Sequence, residues 1–298
     1  MPSLKEIKIK IGSTKKTKKI TAAMKLVAAA KVNKMQKLIK AARPYANAVK
    51  KLYSQLQDSL DPEQLEQYPL LKTYDSVSKV LLVIISSDIG LCGPYNANVQ
   101  KLARNRIEEL KEEGVEIELL TIGRKATDFF SKDIYKDRGI NVIKSYIQLP
   151  TKPELETVHE IGQFMADSFT DNKVQRVEVI STRFLNMVTQ LAEHKIVLPV
   201  QKVTTEEAIE ESHADIILEP DASSLINTLT PMFINNTVYS DMLDATTSEL
   251  ASRMTAMSNA TNNADSVIKK LLLQYNKARQ AAITQEISEI VGGSAALA

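Results

Sequence analysis

Residues 254–287, MTAMSNATNNADSVIKKLLLQYNKARQAAITQEI, contain neither Pro nor Gly and read as helix from end to end. Apolar or small side chains recur through Leu243, Thr247, Leu250, Met254, Met257, Thr261, Ala264, Ile268, Leu271, Tyr275, Ala278 and Ala282 in alternating steps of four and three. That spacing puts them on one narrow stripe, the seam of a coiled coil. The rest of the surface is largely Ala, Ser, Thr and Asn, which neither cover a core well nor make a strongly charged solvent face. With Pro231 behind and Gly292 ahead, the pattern predicts one helix over about 231–291, roughly 90 Å long at ~1.5 Å per residue. Ordinary globular helices run roughly 8–20 residues, so this one needs a partner along its length.

The N-terminal segment offers that partner. From about Ser3 to Gln57 the pattern is again helical, and Met35, Leu38, Ala42, Tyr45, Val49, Leu52 and Leu56 step by three and four. Pro44 falls inside the stripe, where it removes a backbone hydrogen bond; because the stripe keeps its phase, a bend is expected rather than a break. Residues 1–51 carry fourteen Lys and one Arg against the lone Glu6, although the whole chain has a net charge of only +2. Such lopsidedness points to an acidic partner surface for the first helix.

The texture changes between about Val77 and Val203. Short apolar runs, KVLLVIISS, VEIELLTIG, VQRVEVISTRF and a final strand around HKIVLPV, alternate with helical stretches such as NANVQKLARNRIEELKEEG and ELETVHEIGQFMADSF. Strands alternating with helices predict a small open α/β sheet. The expected architecture has three parts: an N-terminal coiled-coil helix (1–60), an inserted α/β domain with linkers (61–215) and a C-terminal coiled-coil helix (216–298), the two helices pairing antiparallel.

Composition agrees with a folded chain rich in long helices. Among 298 residues, charged types make up 25% and aromatics 5%, with no Trp. The single Cys92 excludes an intramolecular disulfide and a cysteine-based zinc site. The best apolar run, VLLVIISS, is strand-sized and far short of the ~20 residues of a membrane span. The N-terminus has no apolar h-region, so no secretory signal is expected.

Three stretches carry a family resemblance: ITAAMKLVAAAKVNKMQ near the N-terminus, SSDIGLCGPYNANV after the first strand, and SELASRMTAMSNATNNADSVIKKLLLQYNKARQAAITQEISEIVGGSAA at the C-terminus. Together they resemble the γ subunits of F-type ATP synthases. The resemblance implies a rotary shaft, a coiled coil inside a ring of three α and three β subunits with a Rossmann-like α/β domain nearer the membrane rotor. It further implies no cofactor, no catalytic residue of its own, and a membrane reached only through the complex.

Residue roles follow from the same likeness. Arg279 and Gln280, in KARQAAIT, match the family's catch, where the shaft hydrogen-bonds to loops of the β subunit. Thr284 and Glu286 match positions implicated in coupling, with Ile283 and Ile287 as packing. Met24 and Lys25 match the contact to the acidic lever of the β subunit. Ile217 and Glu219, in IILEPD, match the foot of the shaft, which touches the c-ring and the ε subunit. One departure is visible: the family commonly has Arg in the second position of the Asp88-to-Gly93 motif, where this chain has Ile89. Plastid members carry an inserted cysteine pair that this chain lacks, which argues against thiol regulation. The expected location is the cytoplasmic face of a bacterial plasma membrane, with the thylakoid stromal face or mitochondrial matrix face as alternatives.

Other readings are weaker. The turn SSDIGLCGPYN follows a strand, as a nucleotide-binding loop would, but no Gly-x-Gly-x-x-Gly and no Gly-Lys-Ser/Thr specifies a phosphate cradle. Cys92 as a nucleophile needs a His partner, and His159, His194 and His213 are scattered; a buried small hydrophobe is the plainer reading. The lysines of KIKIGSTKKTKKITAAMK suggest phosphate binding, but without interleaved aromatics and with an acidic remainder they point away from nucleic acid. A self-associating coiled-coil scaffold remains the plain alternative.

Overall fold

The computed structural model describes residues 3–58, 67–200 and 221–297. Helix α1 (Leu4–Asp58) is followed by β1 (Lys79–Ile85), α2 (Tyr95–Glu112), β2 (Glu116–Ile122), α3 (Arg124–Phe130), a single turn α4 (Asp133–Lys136), β3 (Asn141–Tyr146), α5 (Leu155–Thr170), β4 (Arg176–Phe184), β5 (Gln190–Leu198) and the 76-residue α6 (Ala222–Leu297). The chain divides into two compact units, Met1–Ala29 with Arg253–Ala298, and Ala30–Ser252. The boundary between the two units falls within both long helices.

In the larger unit the five strands run in the order β3-β2-β1-β4-β5, parallel except for the antiparallel edge strand β5. The run from Val80 to Ile85 in central β1 is fully buried, as a strand covered on both faces requires. One face packs Val80, Leu82 and Ile84 against Val99, Ala103 and Ile107 of α2 and Ala126 and Phe130 of α3. The other packs Leu81, Val83 and Ile85 against Val158, Ile161 and Met165 of α5, together with Tyr53 of α1 and Ile226 and Phe233 of α6. Each terminal helix thus contributes a stretch to the sheet's own core.

At Pro44 the helix is unbroken, as expected, while the seam residues around it and the boundary at Pro231 differ from the expectation. Helix α1 continues through Pro44, and the seam is Met35, Ile39, Ala42, Ala46, Val49, Tyr53 and Leu56; Tyr45 (54% exposed) and Leu52 (51%) lie beside it. Steps of three and four fit two neighbouring stripes, and the large side chains of Tyr45 and Leu52 outweighed the small Ala46 that occupies the seam. Helix α6 begins at Ala222, not Pro231. Asp221 caps it, its Oδ1 accepting the Ser224 N–H at 2.8 Å, and Phe233 stacks on Tyr53 with ring centroids 4.8 Å apart. Those contacts hold the turns on either side of Pro231 and offset its missing donor. At the other end α6 runs past Gly292 to Leu297, since a glycine lowers helix propensity without removing a hydrogen bond.

Strand β5 starts at Gln190, earlier than the apolar run suggested, because its first half is only half-buried on the sheet edge. A charged cluster fastens it. Glu178, fully buried on β4, accepts two hydrogen bonds from Arg106 of α2 (2.8 and 2.9 Å), lies 2.7 Å from His194 Nε2 of β5 and 2.6 Å from Arg176 Nε. Burial alone would push its carboxyl up; the Arg106 and His194 hydrogen bonds and the neighbouring guanidinium charges overcome that and hold it at about 2. Across the same strand, Lys195 pairs with the buried Asp241 of α6.

Glu178→Gln leaves two guanidinium groups facing a neutral amide and should cost about 3 kcal/mol at neutral pH. Because the folded-state value lies below that of the unfolded chain, this stabilisation is present above pH ~4.5 and lost as pH falls toward 2. Urea denaturation of both proteins across that window should show the two curves converging on acidification; a constant gap would contradict the ion cluster.

Candidate functional site

In the smaller unit the two helices pair antiparallel: Lys18 Nζ meets Asp265 Oδ1 at 2.6 Å and the hydroxyls of Thr21 and Thr261 lie 2.8 Å apart. The seam expected for α6 is present residue by residue here. Met257, Ala264 and Ile268 are buried, and Met254, Thr261, Leu271, Tyr275, Ala278 and Ala282 are half-buried, against Ile7, Ile11 and Ala28 on the facing side of α1. Beyond Ala282 every described side chain is exposed. The helix pair is therefore thin, with small side chains at several contacts and half-exposed polar ones at others.

Its outer faces are unusual for solvent-facing helices. Thr255, Asn259, Asn262, Asn263 and Ser266 form a small polar strip, and large apolar side chains stand out beside it, including Leu26 (70% exposed) on α1 and Ile290 (71%) on α6. Apolar groups left in water over such a length mark surfaces that another protein covers. Of the expected contact residues, Met24 is half-buried and Lys25, Arg279, Gln280, Thr284 and Glu286 are exposed. Among the described residues Lys25, Arg279 and Glu286 form no ion pair, so their charges are available to a partner. The structure gathers Met24 and Lys25 on one helix and the other four within two turns of the other. Ile217 and Glu219 lie outside the described residues.

The loop after β1 is a second candidate, since β1 lies at the topological switch point where α/β enzymes hold ligands. Here it is closed on itself. Asn96 Oδ1 accepts the Ser87 N–H at 3.1 Å, its Nδ2 donates to Ser87 Oγ at 2.7 Å and lies 3.1 Å from Cys92 Sγ, and Asp88 Oδ1 accepts the Arg124 N–H at 2.9 Å. Gly123 adopts φ 95°, and a Cβ there would meet the Ser86 carbonyl oxygen at 2.3 Å, so only glycine lets the two loops approach. The Ser252 hydroxyl of α6 then donates to the Cys92 carbonyl at 2.6 Å. Cys92 is buried, as expected of a small hydrophobe, and its thiol also has polar neighbours in Ser87 and Asn96. Ile89 and Leu91 are exposed at the loop tip. No group of three or more His, Cys, Asp or Glu is placed to hold a metal among the described residues.

The fold and its surfaces define a class: two long antiparallel helices with exposed apolar side chains, and an α/β unit whose switch-point loop is clamped by the chain's own helix. Comparison with known proteins makes the assignment specific. The model of the ATP synthase family matches residues 3–297. The ATP synthase gamma chains of Trichormus variabilis and Stenotrophomonas maltophilia are each 39% identical over the whole of both chains. The fold is that of the corresponding chain in the Euglena gracilis mitochondrial ATP synthase (TM-score 0.66, 18% identity, 99% of this chain and 94% of that one). It is also that of a chain in the central stalk and c-ring structure of the Tetrahymena thermophila mitochondrial ATP synthase (TM-score 0.59, 24% identity, 81% and 99%). The chain belongs to the ATP synthase gamma-chain family. No described helix is long and apolar enough to cross a membrane.

The glutamate cluster on β4 and the Ser252 clamp escaped the sequence reading. A Glu between two valines in a buried run, flanked by Arg176, was the available signal for the first; nothing local announces the second.

Two outcomes follow. Cys92 should react with Ellman's reagent only after denaturation, since a buried, hydrogen-bonded thiol is inert; rapid reaction of the native chain would contradict the closed loop. In the helix pair, Asp265→Asn should leave stability almost unchanged, the ion pair being half-exposed, whereas Ile268→Ala should cost about 2 kcal/mol or more. Helical circular dichroism in urea ranks them, and the reverse order would make charge, not the seam, the main contact.

Proposed function

We propose that this chain is the central-stalk rotor shaft of an F-type ATP synthase, turning inside a hexamer of three α and three β subunits and carrying torque between the c-ring and the catalytic sites on β. The observation that carries this reading is the exposed skin of the helix pair: large apolar and small polar side chains along α6, beside a face of α1 rich in exposed lysine (Lys8, Lys15, Lys16, Lys19 and Lys25) that suits an acidic partner. A shaft must touch each subunit it passes without locking to any, and side chains such as Asn259, Ser266 and Ala260 give many weak contacts in place of a few strong ones.

Coupling requires that contact free energy differ among the rotational positions, because an equally bound ligand shifts no equilibrium. An α1–α6 pair whose two helices differ in sequence presents a different surface to each β subunit. In this reading Met24 and Lys25 meet the acidic lever of β, and Arg279, Gln280, Thr284 and Glu286 meet its catch loops, where a guanidinium fork suits carboxylates. Ile217 and Glu219 belong to the foot that contacts the c-ring and ε. The functional partition is then the helix 1–60 and helix 216–298 as shaft, with 61–215 as the body at its base. The chain itself performs no covalent chemistry and holds no cofactor. Its place is on the cytoplasmic face of a bacterial plasma membrane, held there by the complex alone; the stromal face of a thylakoid or the mitochondrial matrix face are the alternatives.

Co-expression with cognate α and β subunits should give a particle of three α, three β and one copy of this chain, with ATPase activity that depends on it. A stable homodimer indifferent to α and β would replace the shaft with a scaffold. Within a working complex, Met24→Lys adds a charge that over-stabilises one position, so proton pumping per ATP should fall while hydrolysis persists. Equal pumping per ATP in the two complexes would remove Met24 from the coupling path.

A further inference from the structure

Two carboxylates, Asp241 and Asp244, stand one turn apart on α6 where it meets β5 and α1 in the larger unit. Asp241 is 6% exposed and Asp244 is half-buried. Lys195 of β5 pairs with Asp241 through Oδ1, and Asp241 Oδ2 is buried without a hydrogen-bond partner.

The surrounding groups supply little more. From α1, the charges of Arg43 and Lys50 act on Asp244 and Asp241 respectively, but both side chains are exposed and water screens them. From β4, the Phe184 N–H donates to Asp244. On β5, Glu193 shares the strand face of Lys195 and adds negative charge. One half-buried ammonium thus serves two carboxylates. Burial, then the Asp241 charge, pushes the Asp244 carboxyl up to about 6, against the pull of Arg43, Phe184 and Lys195. Burial raises Asp241 as well, against Lys195 and Lys50, so the two titrate as a pair and a proton taken up belongs to both.

We propose that the Asp241–Asp244 pair is a proton-operated fastening: it takes up one proton as the surroundings turn mildly acidic, loses its internal repulsion, and holds α6 more firmly to β5. The groups involved lie wholly within the larger unit, so the assignment stands independently of the role as a shaft. A carboxyl whose folded-state value lies above that of the unfolded chain stabilises the fold below both values, and that contribution is lost as pH rises through the folded one. Here the loss begins at the ordinary 3.8 and is complete just above 6.

Hydrogen exchange of the full-length chain at low ionic strength, read as protection factors of the β5 amides, tests this. Asp244→Asn keeps the size and an acceptor oxygen and removes the charge. Its protection relative to the unsubstituted chain should grow about tenfold between roughly pH 5 and pH 7.5, each pH step of one below the folded value being worth a factor of about ten. Arg43→Gln, on the exposed side of α1, removes a cation from the same carboxylates. Its protection should equal that of the unsubstituted chain at the acidic end of this range and fall below it at the neutral end. A ratio for Asp244→Asn that stays constant or shrinks as pH rises overturns the proposal. If Asp244→Asn loses its cooperative melt, Arg43→Gln decides, and equal protection at both ends of the range then overturns it.

Discussion

Most of a helix's stability in a protein comes from burying one face, because propensity alone leaves short helices marginal in water. Helix α6 meets that requirement by a seam that alternates steps of four and three from Leu243 to Ala282. In the larger unit, Leu243 and Leu250 pack with Val32, Met35 and Ile39. In the smaller unit, Ala264 and Ile268 on α6 and Ile7, Ile11 and Ala28 on α1 are the buried positions. The seam leaves most of each helix circumference outside, and that uncovered majority is where Lys25, Arg279, Gln280, Thr284 and Glu286 stand. A wider apolar face would have drawn Arg279 and Lys25 toward a core and closed the surface.

The α/β unit shows how far a fold can be separated from the chemistry it commonly hosts. Its sheet order places β1 where doubly wound enzymes bind nucleotides, and the Leu91 and Gly93 backbones turn through positive φ, as ligand loops often do. Yet the loop's donors and acceptors are spent within the chain: Ser87, Asp88, Asn96 and the Cys92 carbonyl all have partners in neighbouring segments. What would have been a cradle acts as a joint between the sheet and α6. The buried Glu178 cluster plays the matching part at the other side of β4, joining α2 to the edge strand.

Legibility from sequence tracked the length scale of the forces. The α6 seam could be read position by position because a periodic burial signal accumulates over many turns. On α1 two neighbouring stripes fit the same steps, and the spacing alone does not separate Tyr45 and Leu52 from Ala46 and Tyr53, which hold the seam. Strand β5 was half seen, an edge strand having one poor face. Helix α6 was started nine residues late because Pro231 is a local stop signal that the Asp221 cap and the Tyr53–Phe233 stack override from outside the local sequence. The expected partner-contact residues rest on family likeness alone: nothing in the local sequence of Arg279 or Thr284 distinguishes them from other exposed helical residues.

The part of α6 beyond Ala282 has a thermodynamic consequence. It is helical, yet among the described residues it buries no side chain, and it contains Gly292 and Gly293. A helix of that length, with two residues that each lower helix propensity by about 1 kcal/mol, has little reason to persist in water alone. Whatever covers Ile287 and Ile290 therefore also supplies the free energy that keeps the segment ordered. Folding of this end and association with its surroundings form one linked equilibrium, in which the concentration of the other components sets how much of the helix exists.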